Sequence, residues 1–545
     1  MLYKLAITLS VLLVSACSIS PNQGSSAELP YNRDLVRTAQ YYDEALRQSP
    51  VNKARLNLFF TKMPKGGDLH HHFSGSIYAE TYLDWVAKNP DLRIDQCTLR
   101  IVDRKDAENN AACPLLTVSE LLKDNPSYRK LLTLWSDKDY GNHNHIQPAP
   151  DTNFFNTFGY FARVSGDYSN MEVGLNILKR RALAENVSYI ETMLSTVKGI
   201  SGSLISDQQK EGEISASLIA ATSYAEVRSI LDVLLSDDAM KAKVSSAVDD
   251  FVTKVECMHK GKELIPNGAG GYSCGTNSVY PEIDCRECGE GNKSSFVMRY
   301  QTYGVRTLAP LDVFMDLYAG YLAAARSDLI VGVNIVAPEN DYVALRDYEL
   351  HMQFFKYLNE LKAKEGQICP SGSDCVVNRA LHAGELTIGM VRPKDLEFHI
   401  DQAINIAGAQ RVGHGIDLPY ENRSLQMLSE MKRKGKEVAV EINLTSNEFI
   451  LGVEKGEHPY QIYASNKVPM IISTDDSGVS RNNLTNEYVL LASRYKPDYL
   501  TIKSYVYNSI KYSFLSEEEK VEQQAILDSK FAEFERSIAS LTDSE

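Results

Sequence analysis

Short apolar runs rich in β-branched residues recur along the chain, with Asp68-Leu69-His70 read as a first strand ahead of them. They continue through Val187 to Thr192, Ser295 to Val305, Leu329 to Ala337, Val376 to His382, Ala409 to Gly413, Val438 to Leu444 and Met470 to Thr474. Nearly continuous apolar runs suit strands buried on both faces. Between them the pattern turns helical. Tyr348 to Lys364 places Leu350, Phe354, Tyr357, Leu358 and Leu361 at helical spacing, and Gly366 follows as a stop signal. Eight strands alternating with helices predict an α/β fold, a parallel (β/α)8 TIM barrel.

On this reading the barrel covers residues 58–515, with two insertions. The first, about 90–151, is polar, holds two cysteines and follows the first strand, which puts it beside the barrel mouth. The second, about 195–293, has a helical part near Ser215 to Met258 and then a Gly/Cys-rich part. Residues 18–57 read as a polar tether (Ser20 to Glu28) and an N-terminal helical arm. Residues 516–545 read as a C-terminal helical tail.

Composition narrows the partners. The chain has 545 residues, 43% of them hydrophobic, which is enough for a large core, and a net charge of -14. An acidic chain without a basic stripe repels phosphate backbones, so a nucleic-acid polymer is disfavoured while a nucleoside is not. At the start, Lys4 and the apolar run Leu5 to Val14 form a targeting segment, residues 1–17, too short to span a bilayer. It ends in Val14-Ser15-Ala16-Cys17, which resembles a bacterial lipoprotein signal in which Cys17 carries the lipid; an ordinary cleavage near Ala16 is the alternative. The expectation is an exported protein, periplasmic or facing the cell surface, touching membrane only through that anchor. Eight further cysteines in an exported chain suggest disulfides. Cys97 with Cys113 and Cys369 with Cys375 are the local pairs. Cys257, Cys274, Cys285 and Cys288 fit either two disulfides or a structural zinc site.

The candidate chemistry sits at strand ends. The motifs are Leu69-His70-His71-His72, His382-Ala383-Gly384-Glu385, Gly413-His414-Gly415 and Ser473-Thr474-Asp475-Asp476. Barrels of this type place active sites where strands give way to loops. His70 and His72 are two apart on one strand and face the lumen together, while His71 faces away. A lone barrel histidine is ordinarily a satisfied core residue; four motifs in register with four strand ends are not. His70, His72, His382 and Asp475 offer three nitrogens and one oxygen to one metal ion per chain, zinc ahead of iron or cobalt. Glu385 stands beside them as general acid/base, and His414, between two glycines, is placed to orient hydroxide.

These residues resemble the adenosine deaminase family. The family's opening Pro-Lys…Leu-His-x-His strand is matched by Met63 to His72. Its His-Ala-Gly-Glu, Arg-Val-Gly-His-Gly and Thr-Asp-Asp motifs are matched by His382 to Glu385, Arg411 to Gly415 and Thr474 to Asp476. Glu441…Thr445-Ser446-Asn447, His458-Pro459 and Asn508 to Phe514 extend the match over roughly residues 58–515. The Met-Pro-Lys-Gly-Gly start and the first insertion look most like the extracellular adenosine deaminase growth factor branch. The resemblance implies zinc held by His70, His72, His382 and Asp475. It implies that Glu385 protonates purine N1, that His414 and Asp475 position the hydroxide, and that Asp476 binds N7. Adenosine, and 2′-deoxyadenosine with it, would become inosine or its deoxy form and ammonia, for purine salvage outside the cytoplasm.

Two positions depart from the family. Where it often holds the ribose 5′-hydroxyl with an Asp, this chain has Ser74. Where it places Ala-Gly, with an amide on purine N3, this chain has Val336-Ala337-Pro338. Competing readings are a deaminase of another aminopurine or nucleotide, and a non-catalytic nucleoside-binding surface lipoprotein. Retention of Glu385 argues against the second, because binding alone has no use for that acid. The sequence leaves the oligomeric state open.

Overall fold

The apolar runs form eight strands of one sheet, and their order in the sheet is their order in the chain. They are β1 (Gly66–His72), β2 (Val187–Met193), β3 (Val297–Val305), β4 (Ile330–Val336), β5 (Asn378–Ala383), β6 (Arg411–His414), β7 (Ala439–Ile442) and β8 (Met470–Ile472). Neighbours from β1 to β8 pair in parallel. The last seam closes just beyond β8, where the Asp475 amide donates to the His70 carbonyl at 2.8 Å and the His72 amide to the Asp475 carbonyl at 3.2 Å. With helices outside, this is a (β/α)8 barrel. The computed structural model describes residues 33–105, 113–137, 148–197, 208–268, 271–288, 295–373 and 375–542. The segment expected to be a signal, with Cys17, and the expected tether lie outside the described residues.

Burial on both faces explains why the strands read as apolar runs. The helix Pro310–Arg326 is buried over most of its length, because the barrel lies on one side of it and the second insertion on the other. The helix expected over 348–364 is Tyr342–Lys362. It starts earlier because the Asp341 side chain accepts from the Val343 amide and caps it. The helical stretch expected near 215–258 is three helices, Gln208–Ala220, Tyr224–Leu234 and Asp238–His259. Ser223 and Asp237 cap the second and third, so the breaks are written in capping residues rather than in periodicity.

The first insertion opens with a small antiparallel sheet of Leu92–Asp95, Ile101–Asp103 and Leu115–Leu116, stapled by Cys97–Cys113. Its end docks beside the barrel mouth, where the Asp137 amide donates to the Val479 carbonyl at 3.0 Å. In the second insertion, Cys257–Cys274 ties the third helix to the hairpin Lys262–Pro266/Tyr272–Ser278, and Cys285 pairs with Cys288. These four cysteines therefore form two pairs rather than one four-ligand site. Cys369 pairs with Cys375. The N-terminal arm is two helices, Arg33–Arg47 and Lys53–Lys62. Phe59 of the second packs edge-on against Phe534 of the C-terminal helix Glu517–Thr542. Among the described residues no helix is long and apolar enough to cross a membrane.

Candidate metal centre and active site

Strand alternation on β1 sends His70 and His72 into the lumen. His71 faces the other way, with Nδ1 3.0 Å from Thr192 Oγ1 on β2. His382 comes from the end of β5, His414 from the end of β6, and Asp475 from the turn after β8. Ala337, His414 and Asp475 have φ of +85°, +71° and +61°. Non-glycine residues occupy this region at a cost of about 1–3 kcal/mol and persist there where the surroundings over-determine them. Gly413 makes room for the cluster: a β-carbon there would lie 2.6 Å from His70 Cε1.

The side chains converge on one point. Donor atoms of His70, His382, His414 and Asp475 all lie within 4.8 Å of one another, and His72, Asp475 and Asp476 form an overlapping group. Asp475 Oδ1 is 3.4 Å from His70 Nε2 and 3.2 Å from His72 Nε2. His72 Nε2 is 3.1 Å from His382 Nε2. His70 Nε2 and His414 Nε2 are buried without a hydrogen-bond partner, as are Glu385 Oε1 and Asp476 Oδ1. An orphaned buried nitrogen such as His70 Nε2, beside the Asp475 carboxylate, fits a cation there.

Hydrogen bonds on the far ring nitrogens separate ligands from their neighbour. His70 Nδ1 donates to Glu441 Oε2 at 2.7 Å, and His382 Nδ1 donates to Asn334 Oδ1 at 2.9 Å. An imidazole that spends its proton on Nδ1 offers a lone pair at Nε2 to metal. His414 is wired the other way: its Nδ1 faces the Asn447 Nδ2 amide donor at 2.9 Å. Its Nε2 then carries the proton. Position alone puts His414 in the tight cluster; its hydrogen bonding makes it a donor toward the site rather than a ligand.

Electrostatics agree with that division. Burial holds the His72, His382 and His414 imidazoles below their ordinary pKa, His414 at about 3, so they are neutral. Burial also works against a charged His70, but Asp475 and Glu441 on its two sides outweigh it and raise the pKa to about 10. A cation at Nε2 would take the place of that proton. Burial opposes the charge on Asp475 too, yet His70 and His72 hold its carboxyl well below the usual range. Glu385 goes the opposite way. Burial, then Asp475 and Glu339, push it well above 4.5, toward the protonated form. Burial and Asp475 do the same to Asp476.

Among the supporting residues Arg411 and Glu441 belong to the motifs, whereas Glu191, Gln301, Asn334, Glu339 and His399 were not singled out by any. Glu191 accepts from Gln301 Nε2 at 2.7 Å and from the Arg411 guanidinium, and Arg411 Nε donates to Glu441 at 2.5 Å. Gln301 continues to Asn334 at 3.3 Å. One lumen network therefore orients both His70 and His382. Glu339 accepts from the Gly384 and Glu385 amides at 3.1 and 2.9 Å and from His399 Nδ1 at 2.6 Å. Burial opposes its charge, but His399 and Arg306 bring it down to about 2. For Glu191, Gln301 and Asn334 the available signal was a charged or amide residue inside an apolar strand run; Glu339 and His399 lie outside the runs and carried none. Ser74 and Ala337 lie at the rim, outside the metal-ligand groups; the Ser74 carbonyl accepts from the Tyr82 hydroxyl at 2.6 Å.

Comparison with known proteins adds an independent line. Residues 373–529 match the sequence family described as Adenosine deaminase. The adenosine deaminase of Enterococcus faecalis is 34% identical over 142 residues, which are 26% of this chain and 38% of that protein. The adenosine deaminase of Clostridium perfringens strain ATCC 13124 is 32% identical over 141 residues, 26% of this chain and 39% of that one. The chain thus spans about two fifths of the length of these relatives. Among solved structures, Arabidopsis ADAL complexed with IMP superposes with a TM-score of 0.51 at 16% identity, covering 87% of this chain and 99% of the other, a likeness of fold.

Proposed function

From the match of residues 373–529 to the adenosine deaminase family, together with the site's geometry, we infer that this chain is a hydrolase that removes the exocyclic amine of an aminopurine nucleoside, adenosine first, giving inosine and ammonia. The observation that carries this reading is Glu385. Its buried carboxyl, which burial and Asp475 push toward the protonated form, has Oε1 without a hydrogen-bond partner and 3.6 Å from His414 Nε2. A proton held there serves a reaction in which a ring nitrogen gains it while water adds to the adjacent carbon.

The donor set supports one zinc ion held by His70, His72, His382 and Asp475. Such an ion supplies Lewis acidity that makes water nucleophilic near neutral pH. The chain's own residues do the rest. Glu385 gives its proton to purine N1 as the water oxygen bonds to C6. The His414 Nε2 proton and Asp475 Oδ2, 3.9 Å apart, flank that oxygen. Asp476, protonated, faces N7. The proton that the attacking water loses restores Glu385, and the remaining hydroxyl proton passes to the exocyclic nitrogen as C6 becomes a carbonyl and the C6–N bond breaks, releasing ammonia. Ammonia release from adenosine, 2′-deoxyadenosine, adenine, AMP and N6-methyl derivatives tests the reading; no release from any aminopurine by metal-loaded protein would end it.

Export with a lipid on Cys17 belongs to the same proposal and is motivated by Val14-Ser15-Ala16-Cys17. Cys17→Ala should release the protein from membranes or block its processing. An unmodified mature N-terminus at another residue would overturn the anchor without touching the chemistry.

A further inference from the structure

A chain of directional hydrogen bonds ends on His414, and its far end is a backbone amide, which can only donate. The Tyr460 amide donates to His458 Nδ1 at 3.1 Å. His458 Nδ1 is therefore the acceptor, and the ring proton sits on Nε2. That proton faces Asn447 Oδ1 at 3.1 Å. Asn447 must then present its amide nitrogen on the other side, 2.9 Å from His414 Nδ1. A second amide donor, Asn443 Nδ2, lies 3.5 Å from the same nitrogen. With Nδ1 accepting, His414 carries its proton on Nε2, and Nε2 is buried and unpartnered within the chain. All five residues are buried, so water does not scramble the directions.

We propose that His458 and Asn447 are positioning residues that lock His414 in the tautomer with the proton on Nε2, so that it donates to the nucleophilic oxygen and does not compete as a metal ligand. Burial keeps His458 neutral, at about 3, so its ring can accept at Nδ1 and donate at Nε2 at the same time. The reversed tautomer would turn a lone pair toward Asp475 and Glu385. It would remove a donor from the reacting centre, a loss that typically costs about 10²–10³ in rate. The role for catalysis rests on the proposed hydrolysis; the tautomer does not.

The test therefore has two readouts. Protein labelled with 15N-histidine, with and without zinc, should show His414 with a protonated Nε2 and a bare Nδ1; the opposite assignment overturns the proposal whatever the substrate. Turnover is then measured on whichever aminopurine the enzyme deaminates best. Asn447→Asp replaces the amide donor by an acceptor and should lower kcat about 10²-fold or more, with zinc content unchanged and the His414 proton moved to Nδ1. His458→Gln keeps a donor toward Asn447 and should stay within several-fold of the parent, whereas His458→Leu should lose at least about tenfold. Equal losses in these two variants, with the tautomer intact, would reduce His458 to a packing residue and refute the relay. That pair decides the matter even if Asn447→Asp fails to fold.

Discussion

Glu385 and His382 sit three positions apart yet answer to different demands, and substitution should separate them. Glu385→Gln keeps size and hydrogen bonding but cannot exchange the proton. It should lose about 10²–10⁴ in rate at unchanged metal content. Near-normal turnover would remove Glu385 from the mechanism. His382→Ala removes a lone pair held in place by Asn334 at 2.9 Å and should lose metal and activity together. The supporting carboxylate on the other ligand makes a sharper test. Glu441→Gln leaves the ligands in place but weakens the partner of His70 Nδ1, and such changes typically cost about 10–100-fold in metal affinity. Competition with a chelator of known affinity measures it; unchanged affinity would mean that the lumen network orients nothing.

At the scale of elements, the turn after β1 and the turn after β8 interlock. The Gly75 carbonyl accepts from the Gly478 and Val479 amides at 2.8 and 2.9 Å. A β-carbon on Gly75 would stand 1.4 Å from Asp476 Oδ1. Gly75→Ala must therefore displace the Asp476 carboxyl while the Asp475 seam, made by backbone, remains. Displacements of about 1 Å near a reacting centre can cost on the order of 10²-fold. The expected result is a fall in kcat/KM with zinc retained; metal loss in step with activity would place the damage in the seam instead. Elsewhere, Glu421 Oε1 accepts from the Ile400 amide at 2.5 Å at the head of the helix His399–Asn405. Burial raises this carboxyl from 4.5 to about 7. The folded state then holds a proton that the unfolded chain releases, so Glu421 favours folding below about pH 4.3 and loses that contribution as pH rises to about 7. Glu421→Gln should gain in Tm relative to the parent on going from about pH 5 to about pH 7.5. A Tm difference that stays constant across that window would exclude the linkage.

For the whole molecule, the metal site lies on the seam that closes the barrel, so metal and fold should be coupled. A ligand that binds only the folded state stabilises it by about 4 kcal/mol at a thousandfold excess over Kd. Chelation should lower Tm and added zinc should restore it. A Tm that ignores the chelator, in protein shown by elemental analysis to have lost its metal, would uncouple the two. The arm Arg33–Arg47 lies against the C-terminal helix Glu517–Thr542, tying both ends of the described chain to one side of the barrel.

The sequence by itself determined the alternation of buried strands and helices, because a parallel sheet covered on both faces demands mostly apolar runs such as Val438 to Leu444 and Met470 to Thr474. It also marked the candidate ligands, since His70, His72, His382 and Asp475 interrupt apolar strands or follow them directly, where a polar group must have a reason. Helix starts were less legible: Asp341 begins a helix ahead of its apolar stripe because a cap works through one hydrogen bond rather than through periodicity. Tertiary structure alone decided what each imidazole can do. His70, His382 and His414 are the same residue in similar burial, yet Glu441, Asn334 and Asn447 assign their protons differently, and those partners lie 371, 48 and 33 positions away. A tautomer is set by whichever group the fold brings to the far nitrogen, and no local pattern in the chain carries that information.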